Sequence, residues 1–322
     1  MRRAVPVACL GWAVGLAWAT PAEGAKPLPG AFPLHEAAAA GDLTKVRALV
    51  DSGTKVDAPG DDAITALLVS ATRGHAPVAR YLLGKGASVK ALTHHRLNLA
   101  HAAAHGGLVW LTERALAAGL GLESTDRSGH TPLHHAVLGG HVATVEFLLA
   151  RGAALEARNA QGYTPLVNAL DRAHGPAALH LLRKGANVHA DAGGHWTPLA
   201  FAILRKLPAL AEELLRRGAR VDGVLGGEPD YKGFTPLELA LHKGLATVAR
   251  QLIARGAKVT TRTAGQYYPG WTALHFAAAS GDVSLCRLLR QKGADPTAKT
   301  DKDQTVAEVA STKAVGRACG GK

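Results

Sequence analysis

The apolar residues of this chain recur at helical spacing in short segments that are separated by glycine. In residues 129–153, for example, apolar side chains follow a helical period over 133–137 and again over 142–149, with Gly139 and Gly140 between the two segments. Isolated helices of this length are marginal in water because nucleation costs more than a few hydrogen bonds return. The pattern therefore predicts a pair of short antiparallel helices that needs neighbours to be stable.

Both predicted helices of this segment have end signals. Thr131 is a good N-cap because its hydroxyl can accept a hydrogen bond from an N–H of the first turn, and Pro132 suits the first helical position. At the other end, Arg151 meets the negative end of the helix dipole, and Gly152 can adopt the left-handed conformation that ends a helix. Residues 129–153 are therefore interpreted as one helix-turn-helix unit.

The unit recurs along the chain with a period near 33 residues. Helix-ending glycines follow one another at a spacing of 33 five times, and then at 38 and 37. These glycines are Gly53, Gly86, Gly119, Gly152, Gly185, Gly218, Gly256 and Gly293. The N-cap threonines keep the same register at Thr65, Thr131, Thr164, Thr197, Thr235, Thr272 and Thr305, with Phe32 and Leu97 in the two remaining places. We therefore expect eight units over residues 32–304 and a truncated ninth unit over 305–322 that caps the C-terminal end.

This period, with Thr-Pro-Leu-His opening the unit, resembles the ankyrin repeat family. The motif is complete at 131–134, and its first three residues recur at 164–166, 197–199 and 235–237. The resemblance implies an all-α fold, an ankyrin-repeat solenoid of stacked helix-turn-helix units with β-hairpin fingers between them. It also implies that the protein binds another protein and has no catalytic activity of its own.

The third unit departs most from the motif. Its opening residues, Leu97-Asn98-Leu99-Ala100, lack both the threonine and the proline. We expect the first helix of this unit to start less sharply than the others, with its stacking intact.

The first 19 residues have the pattern of an export signal. Arg2 and Arg3 precede an apolar run over 4–19 that ends in small residues, and this pattern predicts cleavage after Ala19. The run is short for a membrane span of roughly 20 residues, so a retained anchor is the weaker alternative. We expect a signal peptide over 1–19, a flexible lead-in over 20–31, and a periplasmic or secreted protein.

The formal net charge of +12 could indicate acidic partners or nucleic acid. Much of it is explained by Lys or Arg residues that stand directly before the helix-ending glycines, where a cation complements the helix dipole. An exported protein also meets little nucleic acid. We therefore expect a monomer that binds a protein partner with an acidic or mixed surface, binds no nucleic acid, and has no membrane span after signal cleavage.

Sixteen histidines suggest a metal site, but most of them follow the repeat. His35, His134 and His275 belong to the Thr-Pro-Leu-His motif, and His75, His141 and His174 precede second helices. His101 and His105 lie four residues apart on one predicted helix without an evident third ligand. No zinc-protease, serine-hydrolase or phosphate-loop motif is present. We therefore predict no metal, no cofactor and no enzymatic activity.

Two cysteines follow the signal segment, Cys286 and Cys319, and they are 33 residues apart. They would thus occupy equivalent positions on neighbouring second helices, whose axes lie about 8–10 Å apart. A disulfide needs Cα atoms within about 7 Å. The repeat register therefore argues against a disulfide unless the C-terminal tail departs from that register. The alternative is that Cys286 is a small core residue. The sequence leaves the pairing open.

An aromatic residue precedes the N-cap in each of units five to eight. These residues are Tyr163, Trp196, Phe234 and Trp271. In the ankyrin family this position lines the concave groove, so stacking would set the rings in a row that contacts a partner. The alternative is that each ring packs on its own hairpin or on the next unit.

Two further groups of residues support a contact surface in the C-terminal half. The inter-unit hairpins at 221–234 and 259–271, called the long fingers below, exceed the usual length by five and four residues. They contribute Tyr231, Tyr267 and Tyr268, and the groove positions of the first helices contribute Asp171, Arg172, Arg205, His242 and Lys243. We therefore expect the groove and long fingers of units five to eight to recognise a protein of the cell envelope or periplasm. The alternatives are glycan or peptidoglycan binding by the aromatic row, and a secreted effector directed at a host.

Overall fold

The computed structural model describes residues 32–226 and 229–320. The predicted signal peptide, 1–19, and the lead-in, 20–31, lie outside the described residues. Within these limits the chain forms eight successive pairs of α-helices, one additional α-helix, and a single 3₁₀ turn at Asp61–Ala63. The first helices of units one to eight are α1 (Pro33–Ala40), α3 (Ala66–Thr72), α5 (Leu99–His105), α7 (Pro132–Leu138), α9 (Pro165–Asp171), α11 (Pro198–Leu204), α13 (Pro236–His242) and α15 (Ala273–Ser280). The second helices are α2 (Leu43–Asp51), α4 (Ala76–Gly84), α6 (Val109–Ala117), α8 (Val142–Ala150), α10 (Gly175–Arg183), α12 (Pro208–Arg216), α14 (Ala246–Ala254) and α16 (Val283–Gln291), and α17 (Lys313–Gly320) follows them.

Most of the helix ends are those that the sequence predicts. Thr131 Oγ1 accepts a hydrogen bond from the N–H of His134 at 3.4 Å, and Pro132 is the first residue of α7. The helix-ending glycines, from Gly53 to Gly293, all have φ between 85° and 98°, a region that side chains with a Cβ rarely occupy. The repeat register is therefore set by local backbone chemistry at both ends of each pair.

The expectation of a poorly defined start in unit three is wrong. The N-cap of α5 is Asn98, one residue after the position predicted from Leu97. Asn98 Oδ1 accepts from the N–H groups of Ala100 and His101 at 2.9 and 3.2 Å, and His101 Nδ1 accepts from the Asn98 N–H at 3.2 Å. Asparagine caps a helix as well as threonine does, so α5 begins sharply, and His101 occupies the motif histidine position of its unit.

The buried apolar side chains form two clusters rather than one. Units one to three contribute the first cluster, from Leu34 to Ala115, and units four to eight with α17 contribute most of the second. Buried polar side chains, among them His101 and His135, lie where the two clusters meet. The hydrophobic core is thus divided between unit three and unit four.

The fingers between units are compact turns rather than strands. Within residues 32–226 and 229–320 the backbone contains no β-strand, and one isolated bridge joins Lys299 and Thr305. In the long finger 259–271, Thr263 N–H donates to Trp271 O at 2.8 Å and Gly270 N–H donates to Thr263 O at 2.8 Å. The predicted all-α fold of stacked helix pairs is confirmed, and its projecting hairpins lack an extended ladder.

The pairing of the two cysteines, which the sequence leaves open, is a disulfide, and it forms under the one condition that the register argument allows. Cys286 and Cys319 form a disulfide with their Cα atoms 5.1 Å apart. In the ninth unit the segment after Thr305 forms turns instead of a first helix, and α17 begins eight residues after that threonine, against eleven for α16 after Thr272. The tail therefore leaves the repeat register, which brings Cys319 close to α16. Both cysteines are buried.

A search of the described helices finds none that is both long enough and apolar enough to cross a membrane.

Candidate partner-binding surface

The four aromatic residues that precede the N-caps are brought together as predicted, but they are packed into the fold to different degrees. Trp196 and Phe234 are buried, whereas Tyr163 and Trp271 are half-buried. Rings from the first helices lie between them: Phe201 is 5.3 Å from Tyr163 and 5.6 Å from Trp196, centroid to centroid. The aromatic row is therefore a continuous packed array and not a set of open rings.

Phe201 belongs to this array although the sequence pattern did not single it out. It stands four residues after the N-cap threonine of its unit, and Phe276 has the same position in unit eight. The ring of Phe276 lies 5.3 Å from Phe234 and 5.0 Å from Trp271. This shared position is the signal that could have identified both phenylalanines.

Trp196 links the finger before unit six to the next finger along the chain, 221–234. Its indole N–H donates to Gly226 O at 2.9 Å, and its ring meets Tyr231 edge-on at 6.0 Å. A buried indole N–H needs an acceptor, and the backbone of the finger 221–234 provides it. The role of Trp196 in the structure is to hold the base of that finger.

Tyr231 and Lys243 form a cationic edge beside the array. Lys243 Nζ donates to the hydroxyl of Tyr231 at 2.8 Å and lies 4.9 Å from the centroid of its ring. Tyr231 is almost fully buried, and Lys243 is half-buried. The ammonium group is therefore positioned by an aromatic ring, which favours a cation.

His242 lies inside the array. Its ring is 5.0 Å from Tyr268, 5.8 Å from Phe234 and 5.9 Å from Phe276. Burial, with smaller contributions from Lys243 and Lys206, lowers the pKa of His242 to about 4. His242 is therefore neutral at pH 7 and behaves as a further aromatic ring.

The two predicted arginines differ in their contacts. Arg205 forms an ion pair with Asp171, with Nη2 and Oδ1 2.7 Å apart. Arg172 is exposed, and no ion pair joins it to a described residue. Arg172 is thus available to an acidic group of another molecule.

Each of the two long fingers exposes a large apolar side chain. Tyr267 is 55% exposed and Val224 is 50% exposed. The two fingers are joined by backbone hydrogen bonds from Ala264 N to Lys232 O at 2.9 Å and from Gln266 N to Pro229 O at 3.2 Å. The described residues contain four large hydrophobic side chains of such exposure: Leu92, Leu179, Val224 and Tyr267. Two of the four therefore lie on neighbouring fingers, and Val224 was not among the predicted contact residues.

A polar cluster that the sequence analysis did not predict lies between units three and four. Asp126, His130 and His135 place three potential ligand atoms within 4.8 Å of one another, which is the size of a metal site. His135 Nε2 donates to Asp126 Oδ2 at 3.0 Å, and His130 Nδ1 lies 3.5 Å from the same oxygen. Burial raises the pKa of Asp126, but hydrogen bonds from His130 and His135 outweigh it and hold this pKa far below its usual range.

The hydrogen bonds around His130 favour protons over a metal in this cluster. Asn159 Oδ1 accepts from the N–H groups of Gln161 and Tyr163 at 3.0 and 2.9 Å, which fixes the orientation of the amide. Asn159 Nδ2 therefore donates to His130 Nε2 at 3.0 Å, so the proton of neutral His130 is on Nδ1, facing Asp126. A metal on Nδ1 would move that proton to Nε2 and set it against the Asn159 amide. The cluster is thus a hydrogen-bonded network that fits a metal poorly.

Comparison with known families gives three matches along the chain. Residues 34–83 match a model described as ankyrin repeats (many copies), residues 99–192 match ankyrin repeats (3 copies), and residues 269–301 match a single ankyrin repeat. Together they fall in units one and two, three to five, and eight.

Two individual proteins show the same similarity. The chain is 31% identical over 99 residues to the inactive serine/threonine-protein kinase TEX14 of Mus musculus, a match that covers 31% of this chain and 7% of the kinase. Among solved structures, the human ASB11 ankyrin repeat domain superposes with a TM-score of 0.55 at 28% identity, covering 69% of this chain and 96% of that domain. The chain thus spans a small part of the mouse protein and nearly all of the human domain.

Proposed function

Because this chain belongs to the ankyrin repeat family, we propose that it is a non-catalytic scaffold that binds a protein partner through the long fingers and adjoining first helices of units five to eight. Ankyrin repeats generally mediate binding between proteins. Function is decided by the site and not by the fold, so the location of the contact surface needs its own argument.

The exposure of Val224 and Tyr267 on neighbouring fingers is the observation that supports this location. Exposed apolar surface marks interaction sites on soluble proteins, and tyrosine is enriched among the residues that dominate binding energy. Two other aromatic residues of this region, Trp196 and Tyr231, are buried and hydrogen bonded. The surface is therefore ordered before binding, which reduces the entropy lost on association.

The charge near this surface favours an acidic or mixed partner. Lys243 lies beside Tyr231, and exposed Arg172 forms no ion pair with a described residue. Complementary charge at the edge of an interface raises the association rate and selects partners. We therefore expect binding to weaken as salt concentration rises.

We propose that the protein is exported and that its partner lies in the periplasm or cell envelope. The pattern of residues 1–19 supports export, and so does the disulfide between Cys286 and Cys319, because such bonds persist in oxidising compartments and are rare in the cytosol. N-terminal sequencing of the protein from cell fractions tests this proposal. A chain that retains Met1 in the cytosol, with reduced cysteines, would contradict it.

The contact surface is tested by affinity capture with paired variants. Wild-type protein should retain a partner from an envelope extract, and the partner should bind the V224S/Y267A variant at least about tenfold more weakly, because both exposed side chains are removed. The matched control is L92S/L179A, which removes the two other exposed apolar side chains of the described residues. If both variants bind the partner equally well, the long fingers are not the contact surface.

The glycan alternative meets a physical objection in the same array of rings. Stacking on a sugar needs an open ring face, and Trp196 and Phe234 are buried. A pull-down on cell-wall material, compared with one on envelope protein, separates the two functions. A host-directed effector would use the same surface, and capture from host extract in place of envelope extract would reveal it.

A further inference from the structure

The second helices of units one to eight carry a large excess of positive charge. Together with their cap residues they contain fifteen lysine and arginine residues and seven aspartate and glutamate residues. The first helices with their caps contain four of the former and three of the latter. Second helices pack beside one another along the solenoid, for example α12 on α14 and α14 on α16. Their exposed sides therefore form one basic surface, called the second-helix face below.

The helix dipole explains only part of this charge. Cations such as Arg151 and Lys184 stand at helix C-caps, where they interact favourably with the dipole. In contrast, Arg47, Arg80 and Arg287 are each the fifth residue of a nine-residue helix, and the effect of the dipole is confined to the last turn. All three are exposed, and no ion pair joins them to a described residue. Neither the dipole nor a carboxylate of the described chain accounts for these three charges.

Two of these arginines lie against aromatic rings of the next second helix. The guanidinium carbon of Arg80 is 4.2 Å from the centroid of the Trp110 ring on α6. The guanidinium carbon of Arg47 is 5.6 Å from the centroid of the Tyr81 ring on α4. Both rings are half-buried. Cation–π attraction orients a guanidinium group without using its N–H groups as donors. The two arginines are therefore positioned to donate to an anion of another molecule.

The carboxylates near these arginines are engaged by other groups. Asp51 Oδ1 accepts hydrogen bonds from Lys85 Nζ at 3.0 Å and from the Tyr81 hydroxyl at 3.2 Å. Glu113 forms an ion pair with Arg151, with Oε1 and Nη2 2.5 Å apart. Each of these contacts joins neighbouring second helices and neutralises an acid. An external anion therefore meets little competition from these two carboxylates.

The breadth of the second-helix face favours a membrane over a small acidic partner. The unpaired arginines extend from α2 in unit one to α16 in unit eight. A bilayer with anionic lipids offers a continuous negative surface that attracts lysine and arginine side chains. Tryptophan and tyrosine are also the aromatic residues preferred at the level of the lipid head groups. An acidic peptide would cover only a part of this face.

We propose that the second-helix face docks this protein on an anionic membrane. Arg47, Arg80 and Arg287 bind the phosphate groups of the lipid head groups, and the rings of Tyr81 and Trp110 lie at the same level. Guanidinium groups donate strong paired hydrogen bonds to phosphate oxygens, and phosphate is present in the head groups of such a bilayer. The long fingers are separate segments of the chain, so membrane docking goes beyond the proposed partner-binding function.

Flotation with lipid vesicles tests the proposal, with each protein in the mature form that the sequence predicts. Wild type should bind vesicles of phosphatidylglycerol and phosphatidylcholine in a ratio of roughly one to two, and should bind pure phosphatidylcholine vesicles at least about tenfold more weakly. The R47Q/R80Q/R287Q variant should bind the anionic vesicles at least about tenfold more weakly than wild type. The matched control is R96Q/R127Q/K302Q, which removes the same charge from exposed residues of fingers other than the long ones. This control should bind within about twofold of wild type, since charge alone would otherwise explain the loss.

Stability, competitors and the finger variant complete the test. The melting temperature of R47Q/R80Q/R287Q should lie within about 5 °C of wild type, because all three side chains are exposed. Absence of binding by wild type, equal binding of anionic and neutral vesicles, or equal losses in the two charge variants would each overturn the proposal. Release from the vesicles by single-stranded DNA or by inorganic phosphate, at the phosphate concentration of the lipid, would also overturn it. The V224S/Y267A variant should bind anionic vesicles normally, so failure of the finger surface and failure of membrane docking are distinguishable.

Discussion

Glu238 shows how one residue departs from the repeat at a cost to stability. It occupies the motif position where His134 stands in unit four, and His134 Nε2 hydrogen bonds to Tyr163 O of the next unit at 3.2 Å. Glu238 Oε2 accepts from Thr235 N–H at 3.0 Å, whereas its Oε1 has no partner among the described residues. Burial, opposed by the hydrogen bonds from Thr235, raises the pKa of Glu238 to about 7. The buried carboxyl is therefore protonated in acid and ionised in mild alkali.

The raised pKa of Glu238 makes its contribution to stability depend on pH. The folded pKa lies above the unfolded value of 4.5, so the contribution is complete below pH 4.5 and is lost as pH rises through 7. The E238Q variant cannot ionise. We predict that it matches wild type near pH 4.5 and becomes more stable by about 3 kcal/mol at pH 8. Urea unfolding at both pH values measures the difference, and E146Q, at an exposed site, should show none.

The sequence predicts some residue roles better than others. The roles of Thr131 and Gly152 follow from the φ angles and hydrogen bonds of a few adjacent residues, and they are predictable for that reason. The burial of Trp196 depends on Phe201 and on a finger of the next unit, so its own position in the motif cannot reveal it. Asn98 was predictable, since 33 residues separate it from both Thr65 and Thr131.

At the scale of elements, α17 is the helix that does not follow the repeat. Each of the second helices before it pairs with the first helix of its own unit. In contrast, α17 follows a segment of turns and packs against α15 and α16. The repeat pattern predicts a capping element after Thr305 but not this shift in register. The sequence after Thr305 keeps the apolar period of a first helix, yet no helix forms there in the structure. The disulfide to Cys286 holds α17 in place.

We predict that the disulfide contributes about 3–4 kcal/mol to the stability of the C-terminal units, the value expected from the loop entropy of a 33-residue separation. The C286S/C319S variant should melt at a lower temperature than wild type, and a protease should cleave α17 first. Thermal melting with and without dithiothreitol provides the control, since reduction should lower the melting temperature of wild type and leave the variant unchanged. Equal melting temperatures without reductant would contradict the prediction.

At the scale of the whole molecule, the polar cluster between units three and four coincides with the division of the hydrophobic core. Stacked repeats are stabilised by the interfaces between neighbours, so an interface that depends on buried polar hydrogen bonds becomes a weak link when one of them is lost. Asp126, in the finger before unit four, accepts a local hydrogen bond from the His130 N–H and a second one from His135 Nε2 in α7. The carboxylate of Asp126 therefore helps to hold unit three and unit four together by hydrogen bonding.

We predict that the D126A variant unfolds in two separate transitions. Removal of the carboxylate leaves His135 buried without its acceptor, a loss of about 2–3 kcal/mol. The transition of units one to three should move to lower denaturant concentration, and that of units four to eight should move less. Tryptophan fluorescence reports both halves, because Trp110 lies in α6 and Trp196 and Trp271 lie in the C-terminal half. The control is D57A, at an exposed finger carboxylate that accepts from Ser88 N–H; a single cooperative transition in D126A would contradict the weak link.

The disulfide also determines how the molecule responds to force. A pull applied beyond Cys319 passes through the sulfur atoms to α16, so α17 cannot be peeled away by itself. At the other end α1 has no such covalent bond, and its pair is held by packing on α3 and α4 and by hydrogen bonds such as that between His75 Nε2 and Ala39 O. Under tension the solenoid should therefore unravel from unit one toward the polar boundary, and the units that bear the long fingers should be the last to open.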